Sequence, residues 1–168
     1  MPRITVPADR DPMMYLWTEK ATPLSGPAGA FSDAVYHRSS LPLREFEAAR
    51  VRIAQINDCN VCINWRTARD VAGWSDDPSA VPEEFYERIG RDPGWAGFSE
   101  RERLAAEFAE RFALDHLGID DDLWGRLHAH FSDDELVDLA LCVGSWIAFG
   151  RINRVFDVDG VCRVPLPS

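Results

Sequence analysis

The 168 residues have the size of one domain, and a chain of this length buries roughly two-thirds of the surface it exposes when unfolded, enough for a core without metal or disulfide support. Apolar residues make up 46% and charged residues 27%, a globular balance that excludes wholesale disorder and collagen-like repeats. The formal charge is −10, with Lys20 the sole lysine among 18 basic residues, and it sets the chain against phosphate backbones and anionic lipid: neither nucleic acid nor membrane is an expected partner.

The N-terminal segment has no apolar h-region and no small-residue cleavage site, so the expected location is cytoplasmic. The longest nearly apolar run, Val137 to Phe149, is interrupted by Asp138 and is too short to cross a bilayer. In a reducing compartment the four cysteines are not expected to form a disulfide framework, and their spacing has to be read as chemistry.

Residues 1–40 are rich in Pro, Gly and Ser and read as an N-terminal arm with short helical pieces near Pro12–Glu19 and Ala28–Tyr36. From Leu43 the pattern is helical: Leu43, Phe46, Ala49, Ile53 and Ile56 recur at three or four residues until Asn57-Asp58 interrupts them. A second helix is predicted from Cys59, capped by Asn57 or Asp58, to Ala72 before Gly73. Loop signals fill 74–98, with a short helix at Pro82–Ile89. Ser99 with Glu102 forms a capping box opening a helix that carries Leu104, Ala105, Phe108 and Phe112 on one face. A shorter helix follows near Asp121–His130, and Ser132 with Glu135 opens a long apolar helix towards Phe156. No strand and no internal repeat is evident. The expected fold is all-α: an arm (1–40), one helical domain (41–158) and a tail (159–168).

The sharpest chemical feature is Cys59-Asn60-Val61-Cys62. Two cysteines three residues apart at a helix start share its first turn, where unpaired N–H groups and the helix dipole favour a thiolate. A thiolate attacks disulfides and peroxides, and a neighbouring thiol resolves the product. Zinc would need two more ligands at ligand spacing, and neither Cys142 nor Cys162 belongs to a second such pair, so no metal and no cofactor is expected. On the preceding helix Leu43, Glu47, Arg50, Ala54 and Asn57 share a face. Glu47 there is open to two readings: a carboxyl tuned for proton transfer, or half of a buried Glu47–Arg50 pair that fixes helix orientation.

The run Leu43 to Arg66, LREFEAARVRIAQINDCNVCINWR, resembles the core of the AhpD-like/carboxymuconolactone decarboxylase family, which is all-helical, oligomeric and includes alkylhydroperoxidases working through such a cysteine pair. The resemblance is clear over residues 41–72 and weaker, at the level of pattern, to residue 157. It implies Cys62 as the peroxidatic cysteine, Cys59 as its resolving partner, and Glu47, twelve residues before Cys59, as the proton-relay acid. Two family histidines are replaced here, by Val61 and Arg66. Arg66 cannot give up a proton near neutrality; one helical turn after Cys62 it is open to two readings, a fixed charge that stabilises a thiolate or a solvated or carboxylate-paired helix arginine.

Elsewhere, Trp65, Trp146 and Phe149 are candidates for an apolar pocket lining, Cys142 reads as core, and Cys162 as a free thiol. Gly144 and Gly150 read as points of close helix approach. His37, His116, His128 and His130 carry no ligand spacing. The expected activity is thiol-dependent reduction of a hydroperoxide or disulfide, with a dithiol protein or small thiol as reductant. A decarboxylase-like lyase and a non-catalytic helical oligomer are the alternatives. Apolar helix faces and six tryptophans predict a homo-oligomer, a dimer or a trimer-based assembly.

Overall fold

The structure, a computed structural model, describes residues 1–20 and 22–160. Its order is α1 (Pro12–Met14), a π-helical turn (Tyr15–Glu19), α2 (Ser25–Arg38), α3 (Leu43–Ile56), α4 (Asn60–Asn64), α5 (Thr67–Asp70), α6 (Glu83–Arg88), α7 (Glu100–Leu114), a 3-10 turn (His116–Gly118), α8 (Asp121–His128) and α9 (Asp133–Val155). No strand occurs among the described residues. The all-α expectation holds; Cys162 lies outside the described residues.

Helix α3 is the axis of the core. Its apolar positions, Phe46, Ala49 and Ile53 together with Ala48 and Val51, are buried all along its length. It packs along α7, which contributes Leu104, Ala105, Phe108 and Ala109, and against α9, which contributes Leu139, Val143 and Trp146. Small side chains on both sides (Ala48 and Ala49, Ala105 and Ala109) let the backbones approach, while each fully buried Phe, Leu or Ile stabilises by about 1.5–3 kcal/mol. Both capping boxes are formed. The Ser99 hydroxyl accepts from Glu102 N at 3.2 Å and Glu102 accepts from Ser99 N at 3.0 Å; Ser132 and Glu135 do the same at 3.3 and 2.9 Å.

The segment predicted as one helix from Cys59 to Ala72 is two, because Trp65 and Arg66 are extended and separate α4 from α5. The N-terminal arm is docked on the body. Trp17 Nε1 donates to Asn153 Oδ1 at 2.8 Å, Ser40 N donates to Asp138 Oδ2 at 2.6 Å, and the Tyr36 ring meets Phe46 edge-on at 5.6 Å. Gly150 is a genuine close approach, since a Cβ there would stand 2.5 Å from Asn57 Nδ2. Gly144 is not; its side faces open space.

Candidate redox site

Helix α3 ends where Asp58 turns into the left-handed region (φ 51°), and the chain re-enters helix one residue later with Cys59 as the N-cap of α4. That turn is fastened to α9: Asn57 Nδ2 donates to Trp146 O at 2.9 Å, and Arg151 Nε donates to Asn57 Oδ1 at 3.1 Å. Cys59 and Cys62 are then three residues apart across one turn, with Cα atoms 5.3 Å apart, and their sulfurs are joined as a disulfide. The two sulfurs are not equivalent. Cys59 is 0% exposed, whereas Cys62 is partly exposed and lines a cavity of about 130 Å³ with Tyr36, Arg50, Trp146 and Phe149. Through Ser32, Phe149 and Asn153 this cavity adjoins a wider hollow of about 400 Å³ that Trp17, Ala28 and Gly29 also line. The arm therefore supplies one wall of the approach to Cys62.

Beneath Cys62 lies the Glu47–Arg50 pair, 0% and 2% exposed. Arg50 donates Nε to Glu47 Oε1 at 2.5 Å and Nη2 to Oε2 at 3.0 Å, while its Nη1 reaches Cys62 O and its Nη2 Trp65 O, each at 2.7 Å. One guanidinium thus ties the buried carboxylate to the carbonyl end of the helix carrying Cys62. Thr67 Oγ1 donates to Glu47 Oε1 at 2.5 Å and the Tyr86 hydroxyl also bonds this carboxylate. Burial pushes the Glu47 carboxyl up, but the Arg50 charge and the bonds from Arg50, Thr67 and Tyr86 outweigh it and hold it below the usual glutamate value. Both of its oxygens are engaged. Of the two readings of Glu47, the geometry describes the orienting pair.

Arg66 is a correction. Because α4 stops at Asn64, the helical spacing that would place Arg66 over Cys62 does not exist. The guanidinium turns to Glu83, donating Nε and Nη2 at 2.9 and 2.8 Å, gives Nη1 to the carbonyls of Ile63 and Trp65, and stacks over the Tyr86 ring at 3.9 Å. The caps expected from Asn57 or Asp58 are also replaced. The N-terminal amide of α4, Asn60 N, donates instead to Asp159 Oδ2 at 3.1 Å. Asp159, assigned to the tail by sequence, is 1% exposed.

Tyr36, missed at the sequence level, has its hydroxyl enclosed beside Arg50, Glu47 and Trp146, and burial pushes it up to about 12, so it keeps its proton. Trp146 Nε1 is buried with no hydrogen-bond partner among the described residues, as is Trp65 Nε1. Of the three candidates for pocket lining, Trp146 and Phe149 line the cavity, whereas Trp65 packs edge-on against Tyr36 at 6.1 Å. Cys142 is buried core, its thiol pushed up to about 12 by burial. All four histidines are exposed, and none lines the Cys62 cavity. A cleft of about 520 Å³ beside α7 contains no cysteine, so its size does not make it the site of thiol chemistry. Among the described residues no group of three or more His, Cys, Asp or Glu could hold a metal ion, and no helix is long and apolar enough to cross a membrane.

Comparison with known proteins gives the fold its relatives. No protein-family profile matches the chain. The uncharacterized protein YnjA of Escherichia coli (strain K12) is 32% identical over 118 residues, which are 68% of this chain and 60% of YnjA, so the chain spans less than two-thirds of that relative. The uncharacterized protein YdfG of Bacillus subtilis (strain 168) is 26% identical over 120 residues, 69% of this chain and 76% of YdfG. Among solved structures, ATU0492 of Agrobacterium tumefaciens, a protein of unknown function provisionally named an antioxidant defence protein AhpD, superimposes with a TM-score of 0.68 at 22% identity over 84% of this chain and 92% of its own. An uncharacterized peroxidase-related protein from Silicibacter sp. TM1040 gives 0.63 at 21% identity over 79% and 68%.

Proposed function

We propose that this chain, whose all-α fold is AhpD-like, is a thiol-dependent oxidoreductase in which Cys62 meets the substrate and Cys59 resolves the product. The observation that carries the reading is the asymmetry of the pair: a fully buried Cys59 bonded to a Cys62 that opens onto a cavity. A thiol-disulfide centre needs one sulfur that can be reached and one that cannot escape.

With a hydroperoxide, the Cys62 thiolate takes the terminal oxygen, the O–O bond breaks, and the alkoxide leaves with a proton as an alcohol. Cys59 then attacks the sulfenic sulfur, the S–S bond forms, and water departs. With a disulfide substrate, Cys62 forms a mixed disulfide, and Cys59 displaces the second substrate thiol. In either case an external dithiol protein or small thiol returns the pair to the reduced state by attacking the accessible sulfur, Cys62. The cavity is lined by Tyr36 and Trp146 but by no histidine, and the lack of an imidazole supports disulfide exchange as faster than hydroperoxide turnover. The exposed apolar residues Val137, Leu141 and Val155 on α9, with Leu114 and Leu117, support a homo-oligomer.

The test is a titration of the reduced protein with oxidised glutathione and, separately, with cumene hydroperoxide, counting free thiols. Cys59 and Cys62 are expected to be lost together and regained with dithiothreitol, and Cys62→Ser is expected to stop the reaction. Thiols that stay reduced under both oxidants would leave the fold as a non-catalytic scaffold.

A further inference from the structure

Closing the disulfide requires Cys59 to lose a proton in a place sealed from water, because its side chain is fully buried. Among the described residues no basic group of the cavity around Cys62 serves that need: Glu47 has both oxygens bonded, and the exposed histidines lie elsewhere. One buried carboxylate is bonded to the residue that follows Cys59. Asp159 Oδ2 accepts the amide of Asn60, the residue covalently next to Cys59, at 3.1 Å. Its other oxygen, Oδ1, is buried and has no hydrogen-bond partner among the described residues. A carboxylate oxygen buried without a donor is costly to keep and calls for a partner that comes and goes. The neighbouring acids have partners of their own: Asp58 and Asp157 each pair with Arg154, and Asp157 also holds the terminal amine.

Resting on the dithiol reading above, we propose that Asp159 is the base that takes the Cys59 proton when the disulfide forms, and returns it when the disulfide is reduced. In the forward step, Cys59 S–H gives its proton to Asp159 Oδ1 while its sulfur attacks the sulfur of Cys62. The leaving group, hydroxide from a sulfenic acid or glutathione thiolate from a mixed disulfide, departs and takes up a proton from water. In reduction the thiolate of an external thiol bonds to Cys62, and the displaced Cys59 thiolate recovers its proton from Asp159. The negative carboxylate also disfavours a Cys59 thiolate at rest, which leaves Cys62 as the sulfur that ionises first.

The experiment uses the full chain carrying Asp159→Asn, whose side-chain oxygen still accepts from Asn60 N but is not a base. The reduced protein is mixed with oxidised glutathione, and the glutathionylated and disulfide forms are followed by mass spectrometry across pH 6–10. The first step, at Cys62, should keep its wild-type rate. Ring closure near neutral pH should slow by roughly tenfold or more, so that the Cys62–glutathione adduct accumulates, with the deficit closing at high pH where hydroxide removes the proton. A melting temperature and Cys62 alkylation rate equal to wild type separate this from misfolding. If Asp159→Asn melts early, Asp159→Glu, which restores a base, should recover closure at neutral pH. Closure at the wild-type rate in Asp159→Asn overturns the role of Asp159 while leaving the dithiol reading intact; a wild-type protein whose Cys62 does not react with the probe overturns both.

Discussion

Two arginine–glutamate pairs flank the short helix that carries Cys62, and they are built alike. Each is bidentate, and each arginine has nitrogen to spare for backbone carbonyls of that same segment: Arg50 for Cys62 and Trp65, Arg66 for Ile63 and Trp65. They differ in depth. Glu47 and Arg50 are sealed in the core, whereas Arg66 faces a Glu83 side chain that is 60% exposed. Tyr86 joins the two, its hydroxyl on Glu47 and its ring under Arg66. The same chemistry therefore serves as an internal bracket at one end and a surface clasp at the other. Burial decides which, because an unpaired charge is ruinous in the core and cheap in water.

The largest effect should come from breaking the inner pair. Arg50→Met leaves Glu47 buried without its cation and frees two carbonyls of the helix beneath Cys62, at an expected cost of about 3–5 kcal/mol. Arg66→Met forfeits a solvent-screened pair and the stacking on Tyr86, about 1–2 kcal/mol. Denaturant unfolding of the two variants measures the contrast; equal losses would mean that depth does not separate the pairs.

Acid separates them further. Burial raises the Glu47 carboxyl, and the Arg50 charge with the hydrogen bonds more than reverses this, so its folded pKa lies below its unfolded one. Such a group contributes stability that is fully present above the unfolded value, about pH 4.3, and is lost as pH falls through the folded value. The stability difference between wild type and Glu47→Gln should accordingly be large at pH 7 and shrink steadily in acid below pH 4. For Glu83, lowered chiefly by its bonds from Arg66, the same substitution should give a smaller difference at every pH. Thermal melts from pH 7 to 2.5 decide it; a difference that grows in acid would reverse the sign assigned to Glu47.

Tyr86→Phe sharpens the comparison from the link between the pairs. It removes the hydroxyl from a buried carboxylate and keeps the ring beneath Arg66. A loss of about 1.5–3 kcal/mol is expected, the range of a hydrogen bond to a charged group. Combined with Glu47→Gln the loss should be less than additive, while combined with Glu83→Gln it should add. Additivity in both cycles would show that the hydroxyl bond to Glu47 contributes nothing.

These pairs also mark where sequence stops being sufficient. Periodicity and capping boxes are local signals, and they locate α3, α7 and α9 because Phe46, Ile53, Leu104 and Leu139 bury in step with them. The cysteine pair and Glu47 are legible for the same reason, and the AhpD-like resemblance agrees with the fold. The break at Trp65–Arg66 carries no glycine or proline. It is held by Arg50 on the Trp65 carbonyl and Glu83 on the guanidinium, 15 and 17 residues away, together with the local Asp70, which accepts Arg66 N at 2.8 Å. Asp159 is hidden likewise, since the amide it caps is 99 residues away. Tyr36 belongs to an arm whose Pro and Gly content suggests a loose segment, and only its docking on Phe46 and Trp65 brings it to Cys62.

The smallest expected effect is the most instructive about Arg66. Read on an unbroken helix, its charge would sit one turn from Cys62, Arg66→Ala would raise the thiol pKa, and Arg66→His would supply the imidazole that speeds peroxide reduction. In the folded chain the guanidinium is held by Glu83, Tyr86 and the carbonyls of Ile63 and Trp65, an arrangement set by the extended break and not by helical spacing from Cys62. Its field at Cys62 is offset by Glu83 and screened by the solvent that reaches that carboxylate. An imidazole placed there is shorter than arginine and tethered to the same backbone, so it should pair with Glu83 rather than turn back to the cavity. The pH midpoint for alkylation of reduced Cys62 is therefore expected to move by less than about 0.3 units in Arg66→Ala, against a marked shift in Arg50→Met. Hydroperoxide consumption in Arg66→His should stay at the wild-type rate. A rise in either quantity would mean that the outer clasp opens in solution and that Arg66 reaches the thiol after all.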